Sequence, residues 1–222
     1  MNTIKHISLC IMAFILLMPS TTVLAVSDGE VEDFKTNIIF SDVSEASQSY
    51  SAILSVAEAG IMSGYEDGSF KPKDNISRDE FATIICRLLG VEQEAQKIKK
   101  SPFNDVDDNN WAVGRIAKAA ELGIVNGYGD GNFGPSDYVL YEQAIKMLVC
   151  AKEKDDEAES LGGYPNGYIL VAEKYNMLDN VSYSKSAVAT RENIAKIISN
   201  ILNNSDNAFV SAQDDELSTR IN

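Results

Sequence analysis

The sequence predicts a mainly α-helical protein in which three helix–loop–helix repeats share one core. Three observations lead to this prediction: a motif that recurs 63 residues later, apolar residues spaced as on one face of a helix, and a third, diverged copy near the C-terminus. Repetition at a fixed period is typical of proteins that stack similar units. The helices of one unit cannot keep their apolar faces from water alone, whereas three units can share a core.

The first two copies agree over two separate stretches. Phe40-Ser41-Asp42-Val43 reappears as Phe103-Asn104-Asp105-Val106, and the loop from Ala59 to Pro72 reappears as Leu122 to Pro135. The loop keeps two glycines, a tyrosine, an Asp-Gly pair, a phenylalanine and a proline in register. Chance does not produce this agreement, so residues 38–90 and 101–153 are predicted to be two repeats of one structure.

Each repeat begins with a short helix and a structured loop. In the first copy the helix runs from Ala52 to Ala59. Gly60 and Gly64 are positions where the chain can take a positive φ and end the helix. The Asp67-Gly68 pair predicts a tight turn, and Phe70 is predicted to be an apolar peg.

A second helix follows the loop. Ser77 is the predicted N-cap, and Glu80 three residues later completes a capping box. The apolar positions then fall at the spacing of a helix that packs on one side, namely Phe81, Ile84, Ile85 and Leu88.

The third copy, residues 160–203, is diverged. Thr190-Arg191-Glu192 matches Ser77-Arg78-Asp79 at an offset of 113, whereas the upstream helix matches at an offset of 116. The third copy has therefore lost three residues in its loop, together with the Asp-Gly and Phe-x-Pro elements. The stretch that precedes it, from Lys152 to Glu159, is predicted to be a charged, solvated connector.

The N-terminus predicts export. Lys5 precedes an apolar stretch over 7–18, and Val23-Leu24-Ala25 offers small residues at a cleavage site, so residues 1–25 are predicted to be a signal peptide. An uncleaved N-terminal anchor is the alternative, which the short apolar stretch disfavours. Residues 204–222 are predicted to be an acidic tail without periodicity.

Composition excludes several classes of function. Removal of residues 1–25 takes away Lys5 and no acid, which changes the net charge from −14 to −15. Such an acidic chain argues against nucleic acid as a partner and against membrane binding after signal cleavage. His6 is the one histidine and leaves with the signal, so a Ser-His-Asp triad, Cys-His catalysis and a zinc site with histidine ligands are excluded. Hydrolysis by a carboxylate pair remains formally open. Cys86 and Cys150 are interpreted as core residues, and no cofactor or metal is predicted.

The repeated motifs carry a family resemblance. The Phe-x-Asp-Val start, the Gly-Ile-x-x-Gly-Tyr-x-Asp-Gly-x-Phe-x-Pro loop and the [Ser/Thr]-Arg-x-Glu cap resemble the S-layer-homology family over residues 38–203. The resemblance implies a pseudo-threefold bundle whose grooves, between neighbouring repeats, bind secondary cell-wall polysaccharide, often through a pyruvylated amino sugar. It also implies that the arginine of the cap motif is the main charged contact. The ligand-binding residues that we predict on this basis are Arg78, Arg191, Trp111, Tyr164, Asp42, Asp105, Gly68 and Gly131.

Physical chemistry supports a role for Arg78 and Arg191. Each lies in the first turn of a predicted helix, where free backbone N–H groups and the helix dipole favour an anion. A guanidinium can add paired hydrogen bonds to a carboxylate. The alternative is that both arginines pair with nearby acids on a wet surface. Tyr141 replaces the arginine in the second copy and Gln48 replaces the tryptophan in the first, so at most two charged grooves are expected.

The predicted function is a non-catalytic, secreted module that anchors its chain to bacterial cell-wall polysaccharide, with a further surface-protein partner left open. The alternative is the anchor subunit, or a truncated anchor region, of a surface enzyme or of an S-layer array protein.

Overall fold

The computed structural model describes residues 38–204, and these residues confirm a mainly α-helical fold. The predicted signal peptide and the tail from residue 205 onward lie outside the described residues. The described part contains isolated β-bridges and eight helices: α1 (Tyr50–Glu58), α2 (Arg78–Leu88), α3 (Glu92–Ala95), α4 (Val113–Glu121), α5 (Tyr141–Ala151), α6 (Asp155–Ser160), α7 (Asn166–Lys174) and α8 (Arg191–Asn203). Within this range, none of the helices combines the length and the apolar character needed to cross a bilayer.

The second main helix of each segment packs on the first main helix of a neighbouring segment rather than on that of its own segment. Helix α2 packs on α4, α5 packs on α7, and α8 returns to pack on α1. The apolar stripes of α2 and α8 are buried. The three segments therefore form a closed ring in which each contributes its second helix to a neighbour.

The loops that lead into α2, α5 and α8 meet one another. They form three antiparallel bridges, Asn75 with Thr190, Ser77 with Tyr138, and Leu140 with Val188. Each of the three loops thus pairs with both of the others. This relationship is the pseudo-threefold arrangement that the resemblance implies.

The predicted apolar pegs are buried. Phe70 is fully buried and its ring centroid lies 5.2 Å from that of Phe40, at the start of the same repeat. Phe133 and Phe103 repeat this contact at 5.2 Å. The Phe-x-Asp-Val start and the loop are therefore one packed unit in both copies.

Gly60 and Gly64 have different roles: Gly60 takes a positive φ, and Gly64 allows close packing. Gly60 has φ +68°, as predicted, and Asn176 has φ +55° after α7 in the third segment. The expectation of a positive φ at Gly64 was wrong. A Cβ at Gly64 would lie 2.5 Å from Cε1 of Phe40 and 2.7 Å from the Ser69 carbonyl oxygen, so the packing there needs the missing side chain.

The connector before the third segment is more structured than we predicted. Helix α6 covers much of it, and Ala158 is fully buried. Gly167 of α7 lies against the Ala158 carbonyl oxygen, which a Cβ would approach to 2.1 Å. Gly114 of α4 meets the Ala95 carbonyl oxygen of α3 in the same way, at 2.0 Å. The spacing of apolar residues could not predict these contacts, because they depend on glycine having no side chain.

Candidate functional site

Two aspartates fix the loops of the first two repeats. The Asp42 carboxylate accepts hydrogen bonds from the backbone N–H groups of Phe70 and Lys71, at 2.7 and 2.8 Å. Asp105 accepts from Phe133 and Gly134, both at 2.7 Å. Burial alone would raise the pKa of Asp105, but these two donors and the charge of Arg78 outweigh it, so the pKa is lowered. Both carboxylates thus hold the loop of their own repeat through two backbone hydrogen bonds.

Gly68 and Gly131 lie at the tips of the same loops. Their φ angles are +78° and +89°, and their carbonyl oxygens accept from the backbone N–H groups of Ser41 and Asn104, at 3.0 and 2.9 Å. The structure does not bring these glycines, or Asp42 and Asp105, into the linings of the grooves described below.

Arg78 joins the first repeat to the second. Its residue is 7% exposed, and its guanidinium donates from Nε to the Phe133 carbonyl oxygen at 2.7 Å and from Nη2 to that of Asn126 at 2.9 Å. The Cζ atom lies 4.9 Å from the ring centroid of Tyr128 and 4.5 Å from that of Phe133. The guanidinium is therefore held by two carbonyl oxygens and two rings of the neighbouring repeat.

Arg191 joins the third segment to the first repeat with the same geometry. It donates from Nε to Phe70 at 2.9 Å and from Nη2 to Ser63 at 2.8 Å, and its Cζ lies 4.8 Å from the ring of Tyr65. The residue is 5% exposed. Within residues 38–204 neither this arginine nor Arg78 forms an ion pair with an acid. The alternative of solvated surface ion pairs was wrong.

The backbone N–H groups beside these arginines are not available to a ligand. The N–H of Arg78 donates to the Asp137 carbonyl oxygen at 2.9 Å, and that of Asp79 donates to Pro135 at 3.0 Å. The N–H of Arg191 donates to Asp74 at 2.9 Å. The expectation that free groups of the first turn support an anion was wrong, because the bridged loops use them.

What remains for a ligand is the outer end of each guanidinium. Nε and one hydrogen of Nη2 hold the neighbouring loop in both arginines. Nη1 and the second hydrogen of Nη2 have no hydrogen-bond partner among the described residues. These are the donors that form the paired bonds of a guanidinium with a carboxylate.

Each arginine lines a cavity to which all three segments contribute residues. The first groove, of about 170 Å³, contains Arg191, Tyr65 and Trp111 in its lining. The second groove, of about 240 Å³, contains Arg78 and Tyr128 with Tyr164. The tyrosine of the repeated loop lies beside the arginine in both. Tyr65 and Tyr128 were not among the predicted groove residues, although this tyrosine recurs in both loops of the sequence.

Each of the two grooves also has an exposed aromatic side chain. Trp111 is 56% exposed and donates from Nε1 to the Asp79 carboxylate at 3.1 Å. Tyr164 is 45% exposed and its hydroxyl donates to Glu142 at 3.1 Å. Burial and the Glu142 hydrogen bond raise the pKa of Tyr164 to about 12. The two rings are thus held alike, by hydrogen bonds to the acids at the second positions of α2 and α5.

The third groove, of about 720 Å³, is lined differently, by Gln48, Asn180, Val181, Ser182 and Lys196. Tyr141, which replaces the arginine, is 4% exposed, and its ring centroid lies 5.5 Å from that of Tyr183. Its hydroxyl accepts from Asn193 Nδ2 at 2.8 Å. This ring fills the space between two segments, and the groove has neither the guanidinium nor the exposed aromatic ring of the others.

Comparison with known families agrees with the repeats. Residues 39–82 and 102–145 each match the S-layer homology domain. The third segment is outside these matches. Its similarity to the two matched repeats lies in the packing of α7 and α8 and in the bridges that its loop forms. Both matched repeats contain the loop and the start of the helix that build one wall of a groove.

Curated relatives include proteins of several kinds. The chain is 30% identical over 174 residues, 76% of its length, to a cell surface protein of Thermoanaerobacter kivui. It is 41% identical over 97 residues, 43% of its length, to a cellulosome-anchoring protein of Acetivibrio thermocellus. It is 28% identical over 211 residues, 88% of its length, to an endoglucanase of a Bacillus species. In each case the chain covers 22% of the relative's length.

Proposed function

We propose that this chain anchors itself, or a protein joined to it, to an anionic polysaccharide of the bacterial cell wall. The observation that carries this proposal is the pairing, in each of two grooves, of an inter-segment guanidinium with an exposed aromatic ring. The S-layer homology matches and the cell-surface and anchoring relatives support a secreted, cell-surface location for it.

The chemistry of the grooves suits an acidic sugar. The outer donors of Arg78 and Arg191 can form paired hydrogen bonds with a carboxylate such as a pyruvate ketal. Trp111 and Tyr164 offer ring faces on which the apolar C–H face of a sugar can stack. The acidity of the whole chain does not prevent this, because exposed charges are screened beyond about 8 Å at physiological salt.

A catalytic role has little support in the residues. The chain without residues 1–25 contains no histidine, and the carboxylates Asp42 and Asp105 are occupied by backbone donors. We therefore propose a binding module without catalysis. The alternative is that the chain is the anchor region of a longer enzyme or array protein, and it would then have the same grooves. The chain covers 22% of the length of the similar endoglucanase, which is compatible with this alternative.

The segments are proposed to divide the work as predicted from the sequence. Residues 1–25 direct export, residues 38–90, 101–153 and 160–203 form the binding ring, and residues 204–222 are a tail. The third segment supplies Tyr164 to the second groove and Arg191 to the first. It is therefore needed for both sites even though its own groove lacks a guanidinium.

Sedimentation with wall sacculi tests the function. Purified chain is mixed with sacculi before and after mild acid treatment that removes the polysaccharide and leaves peptidoglycan. We expect the chain to sediment with untreated sacculi and to stay in solution with stripped ones. Equal retention on bare peptidoglycan would refute the proposed ligand class, and retention on neither preparation would refute wall binding.

A further inference from the structure

The two charged grooves differ at two matched positions of their walls. At an offset of 63 residues, Thr83 of α2 corresponds to Lys146 of α5, and Glu80 corresponds to Gln143. All four residues line their respective grooves. At these two positions the second groove has therefore gained a cation and lost an acid relative to the first.

The first groove has nearly balanced charge. Glu80 lies in its wall and accepts from the Tyr65 hydroxyl at 3.4 Å. Arg87 also lines it, but its Nε is paired with Glu92 at 3.2 Å. Thr83 is 3% exposed and donates to the Asp79 carbonyl oxygen, so it offers the groove no charge. Arg191 is left as the one cation in this lining without an acidic partner among the described residues.

The second groove has two unpaired cations. Lys146 Nζ lies 5.5 Å from the ring centroids of both Tyr164 and Tyr168, which places the ammonium beside the exposed ring of this groove. No carboxylate of residues 38–204 lies within ion-pairing distance of it. The nearby acids Glu142 and Asp137 are bound to the hydroxyls of Tyr164 and Tyr128 and do not belong to the lining.

We propose that the second groove prefers a saccharide segment with two negative charges, and that Lys146 is the residue that selects for the second charge. This inference rests on the proposed function and adds a difference between the sites. Arg78 binds one carboxylate through its outer donors. Lys146 attracts an acidic group on the adjoining sugar, and the neutral Gln143 does not repel it as Glu80 would in the first groove.

The test uses two probes that differ in one charge. Both are disaccharides with a pyruvate-ketal amino sugar, joined in one case to glucose and in the other to glucuronic acid. Tryptophan fluorescence separates the grooves, because Trp111 is the one tryptophan and lies in the first groove. The exchange Trp111→Tyr with Tyr164→Trp moves the reporter to the second groove. Trp111 donates to Asp79 of α2 and Tyr164 donates to Glu142 of α5, so the exchange keeps a hydrogen-bond donor at each position.

We expect the second groove to bind the glucuronic acid probe roughly three- to fivefold more tightly than the glucose probe at low salt, the range of an exposed ion pair. Lys146→Met should remove this preference, because it weakens binding of the glucuronic acid probe more than binding of the glucose probe. The first groove should show no preference or the reverse one. Equal binding of both probes in the second groove, or a preference that survives Lys146→Met, would overturn the inference while leaving the proposed function intact. If neither tryptophan changes its fluorescence with either probe, both the inference and the proposed function would be overturned.

Discussion

Arg191 donates a hydrogen bond from Nη2 to the carbonyl oxygen of Ser63 at 2.8 Å, although 128 positions separate the two residues in the chain. Its Nε donates to Phe70 at 2.9 Å in the same loop. These bonds join the third segment to the first repeat and so help to close the ring. The arginines of the cap motif therefore stabilise the fold and are also candidate ligand-binding residues.

The first prediction concerns this closure. Arg191→Ala removes two buried hydrogen bonds from a charged donor and leaves two carbonyl oxygens without it. We expect the free energy of unfolding to fall by about 2 kcal/mol or more. Urea unfolding followed by circular dichroism measures it. Lys185→Ala, an exposed cation of the same segment, is the control and should have little effect. An Arg191→Ala variant as stable as that control would show that the bonds to the loop are dispensable.

Much of this fold follows from sequence, since the repeated loop and the helical stripes fix its units. The position of the arginines does not follow in the same way. A guanidinium in the first turn of a helix is usually solvated. The local sequence does not show that Arg78 donates hydrogen bonds to the carbonyl oxygens of Asn126 and Phe133 in the next repeat. That contact depends on which segments are neighbours in the ring, as do the groove tyrosines. Packing that needs an absent side chain, as at Gly114, is equally invisible to periodicity.

A second prediction concerns acid. The pKa of Asp105 is lowered below its ordinary value of 3.8 in the folded chain. The stability that its ionised form contributes is therefore complete above that value and is lost as the pH falls through the folded pKa. Asp105→Asn should be less stable than wild type at pH 7 and lose less stability between pH 5 and pH 2. Asp108→Asn, an exposed acid nearby, should behave like wild type in both respects. Parallel pH profiles for Asp105→Asn and wild type would contradict the assignment. Unfolding midpoints across this range give the comparison.

A third prediction reverses the usual sign of a helical substitution. Alanine in place of glycine within a helix normally stabilises by about 1 kcal/mol. At Gly114 the new Cβ would lie 2.0 Å from the Ala95 carbonyl oxygen, so α3 would have to move away from α4. We expect Gly114→Ala to destabilise by roughly 1–3 kcal/mol, the range of overpacking. Ser51→Ala tests the exposed position that matches Gly114 in α1 and should be nearly neutral. Thermal and urea unfolding of both variants decide the sign, and a more stable Gly114→Ala would disprove the close contact.

A fourth prediction concerns the ring that replaces the arginine in the third groove. The Tyr141 hydroxyl accepts hydrogen bonds from the Thr190 backbone N–H at 3.2 Å and from Asn193 at 2.8 Å. Tyr141→Phe should lower the free energy of unfolding by about 1–2 kcal/mol because it leaves these donors unpaired. It should not change binding to sacculi, since the ring is buried. Tyr138→Phe removes an exposed hydroxyl and is the matched control. Weaker sacculus binding by a folded Tyr141→Phe would assign this ring to a ligand site.

The last prediction tests whether the two charged grooves bind separately and act together. Lysine keeps a cation at each arginine but cannot form the paired hydrogen bonds, so Arg78→Lys and Arg191→Lys perturb the grooves with less damage to the ring than alanine. A disaccharide is too short to require both grooves, and Trp111 reports on the first. Arg191→Lys should therefore weaken the binding that Trp111 detects, by about tenfold for the loss of one charge-assisted bond, whereas Arg78→Lys should leave it unchanged.

Whole wall polymer should give a different pattern, because one chain of sugars can occupy both grooves. Either single variant then loses the gain from linked binding, and the double variant loses the contact that remains. We expect sedimentation with sacculi to fall for each single variant and to fall further for the double one, with circular dichroism confirming that all three are folded. Weakening of the Trp111-detected disaccharide by Arg78→Lys would show that the grooves are coupled through the ring. Unchanged sacculus binding by a folded double variant would remove both guanidinium groups from the site.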